Sequence, residues 1–220
     1  MNPIQQHLSR LRRLDSCAIS DAFDRLGLSG VVSGVPQQSG SGRIAGVATT
    51  LKLDTGAPAA HSPRHLGTSA IEASGPDNII VIEQHTGIVA GCWGGLLTLG
   101  AKTRGVAGVI ADGPVRDIDE ARALEFPIFT RALTAVTARG RLVERATNVP
   151  VSAWGITVHP GDYVSADGSA VVFIPAADIA RVLEVAESIA AREAAMAKAI
   201  QAGDPISQVM GAQYESMLKG

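Results

Sequence analysis

With 220 residues, a formal charge of -2, 46% apolar residues and only 4% aromatic ones, the chain can bury one sizeable core. It has neither the basic stripe nor the stacking aromatics of a nucleic-acid binder, and no apolar run reaches the roughly 18 to 20 residues that span a bilayer. Two cysteines, Cys17 and Cys92, are too few for a disulfide framework, and without a recognisable signal segment they point to a reducing, cytoplasmic setting.

No shift of composition marks a boundary, so residues 1–220 read as one domain. Apolar spacing predicts a helix over 4–14, and Asp15-Ser16 would cap a second over 17–26, which Gly27 ends. The stretch GVVSGVPQQSGSG, 30–42, reads as a loop, and 43–53 as a strand. After a breaker-rich segment over 56–63, a short helix over 65–74 and the turn Gly75-Pro76-Asp77-Asn78 lead into a strand over 79–83.

A further β segment near 88–90 reaches a glycine-rich turn over 91–95. The next helix, 96–103, places Leu96, Leu97, Leu99 and Gly100 at the spacing of a buried face, and Gly105 stops it. VAGVIA, 106–111, is short, apolar and β-branched, as in a strand buried on both faces. A helix over 118–124 and strands at 127–129, 149–156, 159–165 and 171–174 precede an alanine-rich helix over 176–201. This alternation, with several hairpin-like returns, predicts α/β layers with mixed sheets and a long C-terminal helix.

Asp112, Arg116, Asp117 and Glu120 lie just past the strand at 106–111, where open α/β sheets place their ligands. Arg116 offers a planar fork for a carboxylate, and Asp117 offers oxygens for a hard divalent cation. The competing arrangement is a set of surface pairs with Asp119 or Glu120. His61 and His65 have i, i+4 spacing, but Pro63 between them disfavours the regular helix of a zinc site. His85, past a strand end, is either a general acid or base or a loop histidine. Asp21 is a surface charge or a supporting contact, Cys92 is packing rather than a nucleophile, and Asp112 anchors its turn.

The ordered set Gly91, Trp93-Gly94, Arg104-Gly105, Gly108-Val109, Asp112-Gly113 and Val115-Arg116-Asp117 resembles the RraA-like family, which includes the class II 4-hydroxy-4-methyl-2-oxoglutarate aldolases. Ser20-Asp21-Ala22 with Leu26-Gly27, the strand 42–48 and the segment 160–175 extend the resemblance over most of the chain. It implies a swivelling β/β/α domain, assembled as a homotrimer or homohexamer with sites between subunits. It also implies Mg2+ or Mn2+ as cofactor and a small oxo or hydroxy polycarboxylic acid as substrate. That acid would undergo retro-aldol cleavage to pyruvate or an oxaloacetate-type decarboxylation.

Carried over residue by residue, the resemblance makes Asp117 the metal-facing carboxylate and Arg116 the partner of substrate and enolate. Gly94 and Gly95 form the turn in which the Leu96 and Leu97 N–H groups take the substrate carboxylate. Glu193, on the closing helix, stands near the place of a family acid donated by the neighbouring subunit; its other reading is a solvated helix-face glutamate. The departure is Gly95, where active aldolases carry an acid that orients water on the metal and helps proton transfer. Losing such a shuttle removes about 10²- to 10⁴-fold in rate. Some relatives are named for binding RNase E, so a non-catalytic regulator of RNA processing is the rival class.

Overall fold

The computed structural model describes residues 2–57 and 65–211. In the first helix, α1 (Pro3–Leu11), proline sits in the first turn, where its missing N–H is harmless, and the Asn2 side chain accepts from the Gln5 N–H. Asp15 caps α2 (Ser16–Leu26) by accepting from the Ala18 N–H, and Gly27, at φ 64°, closes it in the left-handed conformation. The 30–42 stretch is not wholly a loop: it contains β1 (Val31–Ser33) and β2 (Gln37–Ser39). These three-residue strands owe their conformation to partners far away in the chain, β1 to 170–172 and β2 to 128–129, so local composition hides them.

Alternation then sets in: β3 (Ile44–Asp54), α3 (Thr68–Glu72), β4 (Asn78–Gln84), α4 (Gly95–Thr103), β5 (Gly108–Asp112), α5 (Ile118–Ala123) and β6 (Ile128–Thr130). The β segment expected at 88–90 does not form. β7 (Val143–Thr147), a polar strand, was not anticipated. The single strand expected over 149–156 is a hairpin of β8 (Val151–Ala153) and β9 (Ile156–Val158). Trp154 and Gly155, at φ 47° and 85°, supply the two left-handed residues of a tight reversal. β10 (Tyr163–Ala166), β11 (Ala170–Ile174), the long α6 (Ile179–Gln201) and α7 (Ile206–Val209) complete the order.

The main sheet runs β1-β11-β10-β3-β4-β5-β6-β2. Its centre, β3 to β6, is parallel, and its flanks are antiparallel. β3 pairs with β10 along 44–47 and with β7 along 51–54, while β4 takes its other edge. Successive residues of β3 alternate faces as a strand must. Ala45 and Val47 meet α1, α2 and α6; Leu51 and Leu53 meet the cluster around α3, α4 and α5; Ile44 and Ala48 face the layer that holds the β8–β9 hairpin. Arg10 joins α1 to α6 through two 2.7 Å hydrogen bonds to Glu187, which hold that carboxyl below its ordinary range. The result is a mixed α/β fold with helices outside a mixed sheet and a second β layer inside it. Among the described residues no helix is long and apolar enough to cross a membrane.

The buried face expected of α4 holds at Leu97 and fails at Leu96 and Leu99. Leu96 is 86% exposed and Leu99 49%, whereas Leu97, Thr98 and Ala101 face the core. A nine-residue helix at a sheet end buries only one narrow side, and leucine spacing alone did not say which.

Candidate active site

Pairing continues past the carboxyl end of β5. Trp93 bridges Val115, and Val115 bridges Leu133, both in parallel. The Cys92 N–H donates to Pro114 O at 2.8 Å and the Arg116 N–H to Trp93 O at 3.0 Å, so the 91–95 turn is clamped against the 114–116 segment. Trp93, 1% exposed, donates its indole N–H to Thr98 Oγ1 at 3.0 Å, and the Thr98 hydroxyl donates to Gly94 O at 3.0 Å. Glycine at 91 and 94 is required by space. A Cβ on Gly91 would lie 2.9 Å from Arg116 Cγ, and one on Gly94 would lie 2.9 Å from Asp117 Oδ2. Bare backbone therefore lets the Arg116 stem and the Asp117 carboxylate lie directly across the turn.

Asp117 adopts φ 56° and ψ 38°, a left-handed conformation that aspartate tolerates better than most residues. This aims its carboxylate back at the start of α4. Oδ2 accepts from the Gly95 N–H at 3.1 Å, and Arg116 Nε lies 3.2 Å from both carboxylate oxygens. These contacts fix the group while leaving lone pairs for a ligand. The surface-pair alternative, with Asp119 or Glu120 as partner, is not what forms: Asp119 pairs instead with Arg122 at 2.9 Å. The N–H groups of Leu96 and Leu97 donate to no described residue, and Gly94 caps α4 without a side chain. Such a helix start attracts anions.

A cavity of about 210 Å³ opens here, lined by Gly91, Gly94, Gly95, Leu96, Leu97, Arg116 and Asp117 together with His65 and Arg139. That is room for a small acid. Arg139, in the loop after β6, is a cation that sequence reasoning missed, since nothing near it in the chain sets it apart. Its guanidinium forms no ion pair or hydrogen bond with any described residue. His65 lines the cavity with its Nδ1 2.9 Å from Leu66 O, and His61 lies outside the described residues.

Other candidates stand elsewhere. His85 Nε2 lies 2.5 Å from Asp112 Oδ2, which also accepts from the Trp154 N–H at 2.6 Å, so this pair anchors the β8–β9 hairpin and does not line the cavity. Glu193 is absent from the cavity of its own chain. Burial raises its pKa, helped by the carboxylates of Asp15 and Asp21; Asp21 is itself raised by burial and by Asp24 and Asp15. Burial pushes the Cys92 thiol up to about 12, so it carries no thiolate near neutrality. Native protein should therefore release one equivalent of thionitrobenzoate from DTNB, through exposed Cys17, and the second only in guanidinium chloride. Two equivalents from the native state would show that Cys92 is reachable.

Among the described residues no three His, Cys, Asp or Glu side chains converge as a closed metal cage. The oxygen donor lining the cavity is Asp117. An open site with a single carboxylate fits Mg2+ or Mn2+, which retain water and take substrate oxygens as further ligands.

An open helix start, an arginine and an aspartate at the end of a parallel strand make this an α/β protein with a candidate site for a small anion. The chain belongs to the RraA-like family: residues 16–173 match the family model, described as Aldolase/RraA. A protein of Halalkalibacterium halodurans, provisionally named a 4-hydroxy-4-methyl-2-oxoglutarate aldolase, is 30% identical over 193 residues, 88% of each chain. The crystal structure of an uncharacterized protein from Pseudomonas syringae pv. tomato str. DC3000 is 30% identical, with a TM-score of 0.82 over 93% of this chain and 92% of that one. Streptomyces coelicolor RraAS2, described as an unusual member of the RNase ES inhibitor RraA protein family, is 26% identical, with a TM-score of 0.73 over 83% of this chain and 92% of that one.

Proposed function

We propose that this protein is a divalent-cation-dependent carbon–carbon lyase. Its substrate is a small oxo or hydroxy polycarboxylic acid, cleaved by a retro-aldol step to pyruvate or decarboxylated in the manner of oxaloacetate. The observation that carries this reading is the convergence of Arg116, Asp117 and the open start of α4 on one cavity. The aldolase name of the Halalkalibacterium relative supports it.

In this reading the Leu96 and Leu97 N–H groups hold the carboxylate beside the 2-oxo group, and Arg116 faces the 2-oxo oxygen. Asp117 would hold the cation, which supplies Lewis acidity when bound. As the C3–C4 bond breaks, its electron pair moves toward the 2-oxo oxygen, and the Arg116 guanidinium stabilises the charge that develops there. No lysine imine is required. Arg139 remains for the substrate's second carboxylate. The exposed Leu96 and Leu99 on α4 support a second copy of the chain covering the mouth, in a homotrimer or homohexamer.

The test is pyruvate release from 4-hydroxy-4-methyl-2-oxoglutarate and from oxaloacetate, followed with Mg2+, with Mn2+ and with EDTA. Release that depends on the cation supports the reading. Silence with every acid and both cations sinks it and favours the non-catalytic, RNase E-binding class. Arg139→Ala should raise KM for a diacid by about 10-fold with kcat nearly unchanged, because the contact it removes binds ground and transition states alike. An equal loss on a monoacid would contradict that role.

A further inference from the structure

The space above Gly95 is already taken by a carboxylate. A Cβ built on Gly95 would collide with Oε2 of Glu120, with Cδ of that side chain 2.7 Å away and Asp117 Cβ 3.3 Å away. Two acids thus converge on one glycine: Asp117, which accepts the Gly95 N–H, and Glu120, which lies over the Gly95 Cα. Their arrangement follows from the chain. Asp117 turns left-handed, α5 starts at once, and the Glu120 N–H donates to Asp117 O at 3.2 Å. Residues three apart at a helix start lie on the same side, so both carboxylates leave α5 toward the start of α4. Asp119, between them, points elsewhere and pairs with Arg122. The Glu120 carboxylate forms no hydrogen bond or ion pair with any described residue, although it rests beside the electropositive end of a helix.

We infer that Glu120 is the proton carrier of this site, standing in from α5 for the side chain that Gly95 lacks; the inference rests on the lyase reading above. Glu120 lines the adjoining cleft, which shares Arg116 and Asp117 with the cavity, so in the retro-aldol direction its carboxylate takes the proton of the substrate's 4-hydroxyl through one water. C4–O becomes a carbonyl, the C3–C4 bond breaks, and its electron pair becomes the pyruvate enolate. Glu120 then returns the same proton to C3, and the carboxylate is restored. Position 95 and Glu120 compete for one volume, so the acid can be supplied from either, and the flexible end of Glu120 can move aside for a new side chain.

The experiment follows exchange of the pyruvate methyl protons for deuterium by NMR in D2O with Mn2+. This partial reaction needs no knowledge of the full substrate. Glu120→Gln should lower the exchange rate by about 10²-fold. Its melting temperature and its Mn2+ affinity, read by electron paramagnetic resonance without pyruvate, should be unchanged. Glu120→Asp should recover part of the rate, and Gly95→Asp in a Glu120→Ala background should exceed Glu120→Ala alone by at least about 10-fold. Glu120→Gln exchanging at the unmodified rate overturns this role and leaves the lyase reading standing. No exchange by the unmodified protein overturns both.

Discussion

Asp117→Asn should abolish cation-dependent pyruvate release, lowering kcat/KM by about 10³-fold or more, while the protein stays folded. Asparagine is the informative replacement because it tolerates the left-handed backbone at φ 56° almost as well as aspartate, whereas alanine would add strain. Its carbonyl can still accept the Gly95 N–H, so the 3.1 Å tie to α4 survives. What changes is charge, and a donor now faces Arg116 Nε, which lies 3.2 Å from both oxygens of the present carboxylate. Mn2+ binding by calorimetry should vanish together with turnover. Arg116→Lys should retain Mn2+ and lose about 10- to 10²-fold, since a point charge replaces the fork that can meet a carboxylate or enolate at two atoms. If Asp117→Asn kept both Mn2+ and turnover, the cation would be seated elsewhere and the account of this corner would fail.

How far the chain announces its own structure varies along it. The parallel centre is legible because β-branched runs such as 79–83 and 106–111 are bounded by glycine, proline and aspartate, and helices separate them. Arg116 and Asp117 stand out because charges directly after such a run lie at a strand end. The convergence of Glu120 on Gly95 is not legible. It depends on a left-handed backbone at Asp117, which reverses α5 over the start of α4, and no spacing rule encodes that turn. Arg139 is hidden for a related reason: a long loop brings it to the cavity, and loop paths follow tertiary packing rather than periodicity. The β8–β9 hairpin was masked by Trp154, a bulky residue in a left-handed position where glycine or asparagine is usual. The family resemblance drew attention to Glu193, on the closing helix near the place of an acid donated by the neighbouring subunit, yet within one chain the carboxylates acting on it are those of Asp15 and Asp21.

The second large effect concerns what holds the turn rigid. Trp93→Ala should destabilise the fold by about 3–5 kcal/mol, because it empties a fully buried indole site between the sheet and α4. For a chain of this size that is a fall in Tm of roughly 6–20 °C. Two milder changes separate packing from hydrogen bonding. Trp93→Phe keeps most of the apolar volume and removes a donor, while the Thr98 hydroxyl still donates to Gly94 O; it should cost about 1 kcal/mol. Thr98→Val should cost more, about 1–3 kcal/mol, because it strands the buried indole N–H and leaves Gly94 O without its side-chain donor, 3.0 Å away at present. In the double variant the indole N–H is gone before its acceptor is removed, so the combined loss should fall below the sum of the two. Urea melts of the four proteins measure that difference. Strict additivity would mean that Trp93 and Thr98 act as separate packing residues, and the rigidity of the 91–95 turn would need another source.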